Sequence, residues 1–169
     1  MKNASKTPNK NLYPSRREII SYPRLITPEA IYSLQRWKNN YYTHNRYKIP
    51  PWHEKSIKDK NEALMILVRI YITGTVYHTK YPMHQVELTL TTQYATDLKS
   101  HILYFNEVAP SIISTLHEVD HLLYGPSELK ACAYSYQLFN EVFPTECANL
   151  EWCGHMLVKK QQQKRVNLG

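Results

Sequence analysis

Glycine is scarce in this chain, four residues in 169. So little of it excludes collagen-like sequence and argues against flexible low-complexity segments. The glycine-rich loops that cradle phosphates are missing too: there is no P-loop, no dinucleotide fingerprint and no G-x-S-x-G nucleophile elbow. Cysteine is almost as rare. Cys132, Cys147 and Cys153 are an odd number without framework spacing, which suits a reducing compartment better than a disulfide-stapled secreted fold. No apolar run approaches the length of a membrane-spanning helix, and the first residues are polar and basic with no apolar stretch. Neither a membrane partner nor a secretory signal peptide is expected. The expected location is cytoplasmic, or within a particle assembled in the cell.

Against these absences stand a 43% hydrophobic fraction and three tryptophans, enough for one folded domain with a real core. The net charge of +7 is unevenly placed. Residues 1–25 set Lys2, Lys6, Lys10, Arg16, Arg17 and Arg24 against Glu18, and residues 155–169 hold Lys159, Lys160, Lys164 and Arg165 with no acid. The body between them is slightly acidic. Basic ends of this kind suit contact with nucleic acid or docking into a large assembly, and they equally suit plain solubility.

Along the chain, Pro8, Pro14 and Pro23 among Asn, Lys and Ser mark residues 1–26 as an extended basic arm. Thr27-Pro28-Glu29 opens a first helix, with a threonine cap, proline in the first turn and an acid beside it, running to about Tyr42. Ile49-Pro50-Pro51-Trp52 breaks the chain. The apolar stretch Asn61–Ile72 is expected to be a helix that ends near Thr73-Gly74-Thr75. Val76–Tyr81, Val86–Thr91 and His101–Phe105 are expected as strands. Pro110 introduces a helix with Ile112, Ile113, Leu116, Val119, Leu122 and Leu123 as its apolar stripe, ended by Gly125-Pro126. Ser127 caps a further helix that Pro144 stops, and a last helix is expected from Thr145 into the basic tail. The fold class is α+β: a small sheet packed on the Pro110–Tyr124 helix and its neighbours. Its expected divisions are an arm over 1–26, one domain over 27–158 and a tail over 159–169.

The chemistry is concentrated in His117-Glu118-Val119-Asp120-His121, an H-E-x-x-H stretch. Histidines four apart on a helix share a face and can share one Zn²⁺, and the intervening glutamate then falls beside the open coordination position as a general base. Seven residues on, after a tight Gly-Pro turn, Glu128 opens the next helix. It is either a third metal ligand or an ordinary first-turn acid favoured by the helix dipole. Tyr124, Tyr134 and Tyr136 are candidate donors to a developing oxyanion. Asp120 is expected on a solvated helix face, with a role in fixing a ligand histidine's tautomer left open. Cys132 and Cys147 are expected to serve packing.

On His117-Glu118-x-x-His121, the turn at Gly125 and Glu128-Leu129-Lys130-Ala131, the chain resembles the zincin metallopeptidases over roughly residues 76–140. The gap to Glu128 is one residue longer than in the metzincin pattern, which ends in histidine, and much shorter than in the gluzincins. His117-Glu118-Val119-Asp120-His121-Leu122 is also similar to the last motif of the peptide deformylases, but their upstream cysteine ligand has no counterpart before Cys132. The zincin resemblance implies a zinc-dependent hydrolase cleaving peptides or proteins, with His117, His121 and Glu128 on the metal and Glu118 as base. The alternative from the basic ends is a non-catalytic component of a viral or phage particle, or a nucleic-acid-associated subunit.

Overall fold

A computed structural model describes residues 13–43, 50–74 and 86–160. Its first element corrects the expected arm. Arg16–Ser21 is a short helix, α1, closed by a capping box in which the Glu18 amide donates to Ser15 Oγ and the Ser15 amide donates back to the Glu18 carboxylate. Six residues are too few to hold a helix by propensity alone. What fixes it is Ile19, fully buried where α1 packs on a later helix. Through this helix the described part of the expected arm is fastened to the body, and residues 1–12 lie outside the described residues.

Helix α2 (Pro28–Trp37) starts at the Thr27 cap and runs on into a π-helical turn, Lys38–Tyr42. After the Pro50-Pro51 break and a single 3₁₀ turn at Trp52–Glu54, Ser56 caps α3 (Ile57–Thr73). The two helices are joined by the Trp37 indole N–H, which donates to the Ala63 carbonyl at 2.8 Å, the partner a buried tryptophan requires. The expected strand at Val76–Tyr81 lies outside the described residues, as do His78 and His84.

Three short strands follow: β1 (Glu87–Thr91), β2 (Ala95–Asp97) and β3 (Ile102–Asn106). Their order is β1-β3-β2, with β3 parallel to β1 and antiparallel to β2. In β3, Leu103 and Phe105 point into the core and are fully buried, the period-2 pattern of a half-buried strand. Strand β2 was not expected, because Ala-Thr-Asp carries no alternation of its own; its pairing with β3 makes it a strand.

The stripe expected from Ile112 to Leu123 is buried in α4 (Ile112–Tyr124), which packs against α3, β2 and β3. Gly125 ends α4 at φ 96 and ψ −164, a backbone region open almost exclusively to glycine. The chain then reverses into α5 (Glu128–Val142), capped by Ser127 and laid along α4. The expected last helix is corrected. Pro144–Ala148 makes a single short helix, α6, and the chain then forms a hairpin of β4 (Leu150–Cys153) and β5 (Met156–Lys159). Its two-residue loop is Gly154-His155, with Gly154 at φ 62. Glycine in the first loop position is the hairpin signal that a helical reading of this stretch passes over. Lys159, the first residue of the expected tail, closes β5, and residues 161–169 lie outside the described residues.

Candidate metal centre

His117 and His121 lie one turn apart on α4, both buried, with ring centroids 4.9 Å apart. Their position on a flank of the apolar stripe was legible; their burial was not, because α5 covers that flank. Glu128, the first residue of α5, reaches back across the turn and bridges the two rings. One carboxylate oxygen stands 3.2 Å from His117 Nε2 and the other 2.9 Å from His121 Nε2. The Gly125 reversal makes this possible by placing the start of α5 beside the middle of α4.

Charge is strongly organised here. Hydrogen bonds from His117 and then His121 hold the Glu128 carboxyl well below the usual carboxylate range, against the opposing effect of burial. Burial alone would lower the His121 pKa, but the hydrogen bonds to Glu128 and to the Gly125 carbonyl outweigh it and leave it raised. His121 Nδ1 is 2.9 Å from that carbonyl oxygen. With an acceptor on each ring nitrogen, His121 is satisfied as an imidazolium. The arrangement therefore already stabilises one positive charge between the histidine and the carboxylate.

The donor set is of the chemical type that binds zinc, but the donor atoms that lie within 4.8 Å of one another are those of His117, Glu128 and Cys132, and His121 is not among them. Two imidazole nitrogens and one carboxylate oxygen form a ligand set that leaves a fourth position open in catalytic zinc sites. Both Nε2 atoms face the same carboxylate, and the Nδ1 atom of each ring is turned to a different partner, as the outer hydrogen bonds of metal-ligating histidines require. Sharing an ion asks the carboxylate to turn one oxygen between the rings, and a first-turn glutamate with 30% of its side chain exposed has room to do so. Cys132 was assigned only to packing, yet its sulfur lies 3.7 Å from His117 Nδ1, and donor atoms of His117, Glu128 and Cys132 all fall within 4.8 Å of one another.

Glu118 is half-buried beside the pair. The Thr96 hydroxyl, on β2, stands 2.6 Å from its carboxylate and 2.9 Å from its backbone carbonyl, tying the glutamate to the sheet. Asp120 is a correction: it is fully buried rather than solvated, and its Oδ1 accepts a hydrogen bond from the Tyr71 hydroxyl of α3 at 3.1 Å. Its Oδ2 has no hydrogen-bond partner among the described residues, and burial raises the pKa of the acid well above the ordinary value.

The tyrosine candidates separate. Tyr124 stacks on Tyr134 with ring centroids 4.2 Å apart, and Tyr134 also meets Tyr22 edge-on, so that pair serves an aromatic seam. Tyr136, packed on Trp152, shares a cavity of about 10 Å³ with His117 and Cys132. His155, at the tip of the β4–β5 hairpin, stacks on Tyr13 and lines the same cavity; burial lowers its pKa, while its field interaction with Glu128 raises it and that with His117 lowers it. Nothing in the sequence pattern pointed to this hairpin as a wall of the site.

Of the basic residues expected to make nucleic-acid or assembly contacts, Arg16 and Arg17 are exposed on α1. Lys159 and Lys160 are exposed at the end of the hairpin, with Lys160 Nζ 3.3 Å from the Ala148 carbonyl. Lys2, Lys6, Lys10, Lys164 and Arg165 lie outside the described residues. No helix among the described residues is long and apolar enough to cross a membrane. No family model, curated protein or solved structure matches the chain.

Proposed function

We propose that the chain is a zinc-dependent hydrolase, a small peptidase of zincin type, with His117, His121 and Glu128 as metal ligands and Glu118 as general base. The observation that carries this reading is the bridge from Glu128 to both Nε2 atoms of the H-E-x-x-H pair, at 3.2 and 2.9 Å. Two buried imidazoles and a carboxylate converge at the point where the motif calls for a third ligand. The choice of peptide as substrate rests on the resemblance of residues 117–121 to the zincins.

A zinc ion held by these three residues would supply Lewis acidity and lower the pKa of a coordinated water toward about 7. Glu118, oriented by Thr96, accepts the proton of the attacking water and returns it to the leaving amine. Burial of both histidines keeps competing water from their ring nitrogens.

Metal analysis of the purified protein tests the reading. The expected result is about one zinc per chain, in keeping with a single three-ligand site. The metal is lost in His121→Ala and Glu128→Ala, and Glu118→Gln keeps it but loses hydrolysis of an unfolded protein substrate. A wild-type chain that takes up no zinc overturns the proposal and leaves the basic-ended assembly component as the working hypothesis.

A further inference from the structure

We infer that Cys132 is a positioning residue for the metal centre: its sulfur receives the His117 Nδ1 proton and so fixes the ring with Nε2 free to bind. This deepens the zinc reading and rests on it. A histidine that ligates through Nε2 carries its proton on Nδ1, and that proton needs an acceptor, whose loss typically weakens metal binding 10- to 100-fold. His121 has the Gly125 carbonyl for this purpose. The neighbour of Nδ1 on His117 is Cys132 Sγ at 3.7 Å, a thiol that donates to the bare nitrogen or accepts its proton according to the tautomer of the ring.

The surroundings leave little else for that nitrogen. His117 is 6% exposed and Cys132 4%. The cavity behind the ring, about 10 Å³, holds at most a single water. It is also lined by Ile113 on α4 and by Trp152 and Leu157 of the hairpin. Cys132 lies four residues beyond Glu128 on α5, so one helical face brings a carboxylate to His117 Nε2 and a sulfur near His117 Nδ1. The residue acts through His117 and not on the ion.

Zinc affinity measured by chelator competition, with no reference to hydrolysis, tests the inference in the full chain. Cys132→Val fills the space without an acceptor and is expected to weaken zinc binding about 10- to 100-fold. Cys132→Ser restores an acceptor and recovers most of the loss. Should valine overfill the helix interface, Cys132→Ala makes the same deletion without a clash, and matching urea-unfolding midpoints in chelator establish that the variants fold. Wild-type affinity in both apolar variants overturns the inference alone, while a wild-type chain that binds no zinc overturns it together with the proposed function. A thiolate-to-metal charge-transfer band in the cobalt-substituted protein also overturns it, by making Cys132 a ligand.

Discussion

Replacing Asp120 by asparagine should flatten part of the protein's pH dependence. Asp120 is 0% exposed, accepts a hydrogen bond from Tyr71, and carries a second oxygen with no partner among the described residues. Burial pushes its pKa well above the ordinary value, so the folded protein keeps a proton that the unfolded chain gives up near pH 3.9. The sign follows from linkage. The stability that this carboxyl contributes is fully present below the unfolded pKa and is lost as pH rises toward the folded one. The loss is about 1.4 kcal/mol for each pH unit above roughly 4 over which the native acid stays protonated. Asparagine has the same shape and no titration. Urea unfolding of the two proteins in chelator, at steps from acid to neutral pH, should show the wild type losing ground to Asp120→Asn by about that slope. Titrations of groups remote from Asp120 cancel in the difference. A stability difference that stays constant with pH, or that moves in favour of the wild type, would refute the reasoning.

Tyr71→Phe removes the donor on Asp120 Oδ1 and should cost about 1–3 kcal/mol, read as a fall of roughly 2–4 °C in Tm per kcal/mol in a chain of this size. Gly125→Ala meets no neighbouring atom within 4 Å, so its cost of about 1–3 kcal/mol should be backbone strain alone; a neutral result in thermal unfolding would contradict the φ of 96. Among the thiols, burial pushes Cys147 up to about 11 and, with nearby carboxylates, Cys132 up to about 12, while Cys153 is exposed. At pH 8 a thiol of pKa 11 is thiolate in about one molecule in a thousand, so a thiol reagent should find one fast cysteine in the native protein and three after denaturation. Thr96→Val, which releases Glu118, should lower kcat for peptide hydrolysis roughly 10- to 100-fold with zinc still bound, and Thr96→Ser should restore it; unchanged kcat in the valine variant would remove Thr96 from the site.

Much of this molecule was legible residue by residue, because local rules act over a few positions. Thr27-Pro28, Ser127 and Gly125 mark helix ends through capping and backbone conformation, and the α4 stripe from Ile112 to Leu123 is a periodic pattern that burial obeys. The i, i+4 spacing of His117 and His121 fixed their common face before any packing was known. What α5 covers was not legible. The burial of both rings, the bridge from Glu128, and the sulfur behind His117 all depend on two helices being laid together by one turn. Thr96 reaches Glu118 from 22 residues away through a strand that exists because β3 pairs with it, and Tyr71 reaches Asp120 across 49. The sequence by itself determined the principal helices with their caps and the shared face of His117 and His121, since dihedral preference, capping and periodicity are short-range. Only the tertiary structure decided what each of those side chains touches, because a hydrogen bond between distant residues is set by how whole elements pack, and no local pattern encodes it.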